Sequence, residues 1–139
     1  MFTIREYTET DHREVVSLWQ NVFKNDPQWN DPAEIINRKQ LVQDELFLVG
    51  VKEKRIIAAV LGGYDGFRGW VYHLAVNPDF RGLGLGRKMM QAIEKKLIDL
   101  NCPKINLQIR SHNSDVIGFY EHLGYDIEDH TSMGKVLKK

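Results

Sequence analysis

The sequence predicts one α/β domain, spanning 1–139, on a mixed sheet of six to seven strands with helices on both faces. Three observations carry this. Between residues 46 and 76, three apolar strands follow one another across short turns, which calls for antiparallel pairing. Between 70 and 110, a strand, a long amphipathic helix and another strand succeed one another, which calls for a parallel crossover. The length of 139 residues, 42% hydrophobic and 27% charged, suits a single globular unit with a sizeable core.

Each element has a local reason. Phe2, Ile4 and Tyr7 begin an alternating strand. Thr10 or Asp11 then caps a helix whose inner face is Val15, Leu18, Trp19, Val22 and Phe23. Residues 25–30 break it, and Asp31-Pro32-Ala33-Glu34 opens a second helix with a cap, a first-turn proline and an acid three residues after the cap. Strands follow at 46–52 and 56–64, around the turn Glu53-Lys54-Arg55, and at 70–76 after the turn at 65–69. A long helix next presents Leu85, Met89, Ala92, Ile93, Leu97 and Leu100 on one face and ends at Asn101, with Pro103 just beyond. A strand at 104–110, a helix at 113–123 ending at Gly124, and a terminal hairpin of 125–128 and 132–137 complete the order β-α-α-β-β-β-α-β-α-β-β.

Composition narrows the function classes. The formal net charge is zero, with 19 basic and 19 acidic residues, so bulk attraction to nucleic acid or to an anionic membrane has no support. No apolar run approaches the ~20 residues of a membrane span, and no N-terminal segment resembles a signal peptide. The single cysteine, Cys102, excludes an intrachain disulfide, and a reducing cytoplasmic setting is expected. No acid–base partner marks Cys102 as a nucleophile.

The most informative stretch is Leu-Ala-Val-Asn-Pro-Asp-Phe-Arg-Gly-Leu-Gly-Leu-Gly-Arg at 74–87. An apolar strand runs through a proline turn into a glycine-rich loop that opens the long helix. Glycines let main-chain N–H groups turn inward, the helix start adds partial positive charge, and Arg81 and Arg87 flank the loop. This predicts a site for a pyrophosphate or similar polyanion. A Walker phosphate loop would need Lys-Ser or Lys-Thr after its last glycine, where Gly86-Arg87-Lys88 stands. A dinucleotide loop would need Gly-x-Gly-x-x-Gly after the first strand; here Gly82, Gly84 and Gly86 lie two apart, after the fourth.

Arg81-Gly82-Leu83-Gly84-Leu85-Gly86 instead resembles Arg/Gln-x-x-Gly-x-Gly/Ala, the acetyl-CoA signature of the GCN5-related N-acetyltransferases. Leu74-Ala75-Val76-Asn77-Pro78 ahead of it is similar to that family as well. Downstream, Leu107-Gln108-Ile109-Arg110-Ser111-His112-Asn113 and Phe119-Tyr120-Glu121-His122-Leu123-Gly124-Tyr125 resemble its second block, a strand, an Asn, then Tyr-x-x-x-Gly-aromatic. Gly-Gly-Tyr-Asp-Gly at 62–66 and Asn-Cys-Pro-Lys at 101–104 are similar to the small stand-alone bacterial members of YpeA type. The resemblance covers nearly the whole chain.

It implies a fold in which strands 4 and 5 splay apart, so that main-chain groups of Leu74, Ala75 and Val76 pair with the pantetheine arm. It also implies that Arg81, Gly82, Leu83, Gly84, Leu85, Gly86 and Arg87 hold the pyrophosphate, with acetyl-CoA as acyl donor and no metal. Tyr120 is implied as the general acid at the sulfur and as a cofactor contact. Asn113 is either a cofactor contact or an ordinary helix cap. The partner is an amine-bearing acceptor, small molecule or peptide, with Trp29, Tyr72 and Gln108 as acceptor-side residues; neither nucleic acid nor membrane is expected, and the chain is a monomer or homodimer. The base stays open between His73, His112 and a water chain, because Tyr72 and Gln108 stand where the family often carries a stronger base. By strand alternation, His73 and Tyr72 are expected on opposite faces. The non-enzymatic alternative is an acyl-CoA-binding sensor or interaction module that keeps the loop without catalysis.

Overall fold

The computed structural model describes residues 1–110 and 113–138. The chain forms two compact units, Met1–Gln108 and Ile109–Lys139. The first carries five strands in one sheet, in the order of the chain: β1 (Phe2–Glu6), β2 (Phe47–Lys52), β3 (Arg55–Tyr64), β4 (Gly69–Val76) and β5 (Ile105–Asn106). The first three pairings are antiparallel and β4 with β5 is parallel, as the meander and the crossover required.

Helices α1 (His12–Val22) and α2 (Pro32–Val42) cover one face of the sheet. There Val15, Leu18, Trp19 and Ile36 close over Phe47, Val49, Ile56, Ala59, Leu61 and Ala75. The opposite face receives α3 (Leu85–Asp99), whose Met89, Met90, Ile93 and Leu97 are fully buried. This helix lies close on β3, since a Cβ added at Gly62 would stand 2.8 Å from Cγ1 of Ile93. The periodic apolar positions thus face the sheet, except Leu100, which is 47% exposed beyond the helix end. Asn101 takes the left-handed conformation (φ 64) that ends α3.

Caps are close to expectation. Asp31 accepts the Glu34 N–H at 3.3 Å ahead of α2, with Pro32 in the first turn. Asp11 stands at the start of α1, but its carboxylate reaches back instead, to the Thr8 N–H at 2.8 Å and to Arg5 at 2.7 and 2.8 Å.

Two strand expectations need correction. The alternating run at 104–110 is a strand only at Ile105–Asn106, and the terminal segments at 125–128 and 132–137 contain no strand among the described residues. Among the described residues the sheet therefore has five strands rather than six or seven. An alternating pattern supplies β propensity, but a strand also needs a partner edge, and an isolated two-stranded hairpin is marginal in water. Ile127, Met133, Val136 and Leu137 are accordingly exposed. In the second unit, α4 (Ser114–His122) ends before Gly124, as expected.

Candidate functional site

The end of β4 leads straight into the loop singled out above. Asn77 accepts the Asp79 N–H through its side chain at 2.9 Å and the Phe80 N–H through its carbonyl at 2.9 Å, shaping a 3-10 turn over Pro78–Phe80. Gly82 (φ 81) and Gly84 (φ 74) then adopt left-handed conformations that a side chain would strain. Gly84 is the N-cap of α3, so the first-turn amides receive no capping side chain and remain available to an anion. Gly82, Leu83 and Gly84 are exposed, whereas Leu85 is buried under the helix and does core work.

Positive charge gathers around this loop. Arg81 and Arg87 are exposed and have no ion-pair partner among the described residues. Lys52 and Arg55 stand over the Phe80 ring at 5.7 and 5.8 Å, and Lys88 over the Phe2 ring at 6.0 Å. By contrast, Lys95 and Lys96 are engaged by Asp99 and Glu6. A neutral chain therefore carries a local cationic patch where a polyanion would dock.

Among the described residues, β4 and β5 pair only at Gly69 with Ile105 and Trp70 with Asn106. From Val71 to Val76 no β5 ladder follows among the described residues, which leaves one edge of β4 without a β5 partner at Leu74, Ala75 and Val76. The ladder thus ends ahead of the positions at which the resemblance implies that strands 4 and 5 part.

Strand alternation fails at His73. Ala59 faces Ala75 and Leu61 faces Tyr72, so His73 and Leu74 together stand opposite Val60 as a β-bulge, with His73 at φ 53. The indole N–H of Trp19 fixes the distortion by donating to the His73 carbonyl at 3.1 Å. Tyr72 and His73 consequently share the α1/α2 face. Tyr72 pairs with the core residue Leu61 and stacks near Trp70, while His73 packs edge-on to Trp19 at 5.2 Å and tilted to Phe23 at 4.6 Å. Tyr72 remains half exposed, with its phenol raised by burial first and Asp65 second.

His73 lines a cavity of about 390 Å³ with Trp19, Gln20, Phe23, Asp26 and Asn30. Its Nε2 lies 3.3 Å from Oδ2 of Asp26. Burial pulls the imidazole below its ordinary value and Asp26 opposes that pull. Trp29 is 57% exposed and does not line this cavity; its neighbours Gln28 and Asn30 do. Asp26 was missed in the sequence because no spacing ties a loop after α1 to a bulge in β4. Another cavity, about 330 Å³, is lined by Tyr7, Asp44 and Phe47, and there Lys39 is already bound by Asp44 and the Gly62 carbonyl. Among the described residues, no cluster of His, Cys, Asp and Glu could hold a metal ion, and no helix is long and apolar enough to cross a membrane.

In the second unit, Tyr120 sits on α4 with its ring edge-on to Phe119 at 4.9 Å and to Tyr125 at 5.8 Å. Burial pushes its phenol up to about 12. Asn113 occupies the N-cap position of α4, yet its side chain makes no capping hydrogen bond. His112 lies outside the described residues, and Gln108 closes the first unit.

A profile of the Acetyltransferase (GNAT) family matches residues 7–125. An acetyltransferase of Yersinia enterocolitica is 45% identical over 134 residues, covering 96% of this chain and 94% of that protein. Among solved structures, Ard1 from Thermoplasma volcanium superposes with a TM-score of 0.82 at 23% identity, covering 91% of this chain and 84% of that one. A predicted acetyltransferase from Clostridium acetobutylicum, solved with acetyl-CoA, does so with a TM-score of 0.76 at 18% identity, covering 97% and 96%. At those identities the two structures speak for the fold, and the profile and the Yersinia relative speak for descent. The glycine loop, the short β4–β5 pairing and the comparisons agree: this chain belongs to the Acetyltransferase (GNAT) family and is an acetyl-CoA-dependent N-acetyltransferase.

Proposed function

We propose that the enzyme works by direct attack of a primary amine, on a small molecule or a peptide, upon acetyl-CoA held in a single catalytic domain. The observation that carries this reading is the loop between β4 and α3. Its left-handed glycines, uncapped amides and unpaired arginines suit a pyrophosphate, and the strand leading into it has an edge free of β5. Arg81 and Arg87 supply charge, Gly82 to Gly86 supply inward amides, and the main chain of Leu74, Ala75 and Val76 pairs with the pantetheine amides. Tyr72 and Gln108 serve the acceptor side, with Trp29 at its margin. Asn113, whose side chain is not spent on capping, contacts the cofactor.

Transfer needs a neutral amine, a polarised thioester carbonyl and a stabilised leaving thiolate. Tyr120 serves the third need. A phenol near about 12 stays protonated throughout the neutral range and donates a hydrogen bond to the departing sulfur. Complete transfer to a thiolate whose thiol titrates near ~8.5 is uphill by about 3 to 4 pH units, so hydrogen-bond stabilisation dominates.

Titration calorimetry with acetyl-CoA should show saturable binding to one site, and a flat titration would end this reading. Tyr120→Phe should lower kcat about ten- to a hundredfold with acetyl-CoA affinity nearly unchanged. A kcat equal to that of the native enzyme would place the donor elsewhere. A sensor that binds acetyl-CoA without turnover would release no thiol across a panel of amines, and thiol release excludes it.

A further inference from the structure

We propose that Asp26 is a positioning residue that holds His73 as acceptor of the amine proton, in the cavity between the C-terminal end of α1 and β4. The inference rests on the acetyl-transfer reading above and adds to it the route of the proton. Several independent features converge on this imidazole. The bulge at φ 53 turns it onto the α1/α2 face, beside Tyr72, and the Trp19 indole locks that turn through the His73 carbonyl. Trp19 and Phe23 fix the ring plane. The two interacting side chains are 16% and 18% exposed, so the pair is shielded but not sealed from the cavity.

The contact with Asp26 engages Nε2, which makes Nε2–H the favoured tautomer and leaves the lone pair on Nδ1. Among the described residues, Nδ1 has no hydrogen-bond partner. Of the charged groups lining the cavity, Lys24 and Asp26 follow α1 and Asp31 precedes α2, and β4 adds none besides His73. Asp26 is the one that acts on the imidazole, raising it against the stronger effect of burial. The ring is therefore neutral at pH 7 and able to take a proton.

The balance of the step is simple. The neutral amine attacks the carbonyl carbon, the C–N bond forms, and the C–S bond breaks with its electron pair going to sulfur. The surplus proton on nitrogen passes to Nδ1. The thiolate is held by the Tyr120 hydrogen bond and takes one proton from solvent as free thiol, and His73 returns its proton to solvent, so protons balance over the turnover. Nothing is oxidised or reduced.

The test uses the full chain and thiol release from acetyl-CoA, with whichever of spermidine, glucosamine, lysine or an alanine-leading tetrapeptide turns over fastest. Profiles of kcat against pH are recorded for the native enzyme, Asp26→Asn, Asp26→Glu and His73→Gln, alongside Tm and calorimetric acetyl-CoA affinity. Asp26→Asn is expected to lower kcat about ten- to a hundredfold, within the range that a positioned base contributes. Its acidic limb should move to lower pH, because the group that raises the imidazole is gone, while acetyl-CoA affinity is retained. Asp26→Glu should recover part of kcat, and His73→Gln should erase the acidic limb. A kcat within twofold of native and an unmoved limb in Asp26→Asn would overturn the proposal. So would a loss of kcat that merely tracks a fall in acetyl-CoA affinity and Tm, since that marks a structural tie. A native enzyme that releases no thiol with any of these amines would instead defeat the acetyl-transfer reading, before any variant is compared.

Discussion

Asp11 is the buried charged residue among those described, at 4% exposure, and it shows how a short sequence becomes a rigid corner. Its carboxylate accepts both Arg5 nitrogens and the Thr8 N–H, joining β1 to the start of α1. The Arg5 contact, more than any other, holds the carboxyl below its usual range. Because the folded value is the lower one, the stabilisation is complete above about pH 4 and is lost as pH falls through that folded value. Asp11→Asn should destabilise the protein at pH 7 by about 1 to 3 kcal/mol, since it leaves Arg5 without its partner. It should also flatten the decline of Tm between pH 4 and pH 2. Thermal melts across that range check both, and an unchanged acid slope would mean that other carboxylates carry it. The sequence marked Thr10 or Asp11 as a cap; that the Asp11 oxygens turn backwards is a matter of packing.

At the level of elements, the loop into α3 depends on backbone conformation rather than on side-chain room. A Cβ at Gly84 would meet nothing within 4 Å, yet φ 74 is unfavourable for any branched residue. Gly84→Val should therefore strain the helix entry by roughly 1 to 2 kcal/mol and reshape the amide cradle. Calorimetry should record acetyl-CoA binding weakened about tenfold or more, and native affinity in this variant would contradict the cradle. This loop was legible in the sequence because glycine spacing, arginines and a following amphipathic helix are local signals. The extent of β5 was not, because Ile105–Asn106 and the residues after them share one alternating pattern. Only the pairing with β4, present at Ile105–Asn106, distinguishes them.

For the whole molecule, acetyl-CoA binding should appear as stability. At a ligand concentration a hundredfold above Kd, mass action adds about 2.7 kcal/mol, enough to raise Tm by roughly 10 °C in a domain of this size. Differential scanning fluorimetry with acetyl-CoA, and with free adenosine as a control lacking the pyrophosphate, tests it. Equal shifts with both would remove the loop as the anchor. The net charge of zero also matters at this scale. Attraction of the tetra-anionic donor has to come from the local group of Arg81, Arg87, Lys88, Lys52 and Arg55, so this binding should weaken with salt more steeply than the overall charge suggests.

By itself the sequence determined the helix faces, the antiparallel meander, the glycine-lined helix entry and the family. The first three rest on periodicities and backbone preferences that act within a few residues, and the family rests on the resemblance of its motifs. Tertiary structure alone decided that Tyr72 and His73 face the same way, that Trp19 secures the turn between them, and that Asp26 meets the imidazole. A bulge is a property of one strand's register against another, and a contact between a loop and a strand exists only after the sheet and α1 have packed. No local pattern can encode either.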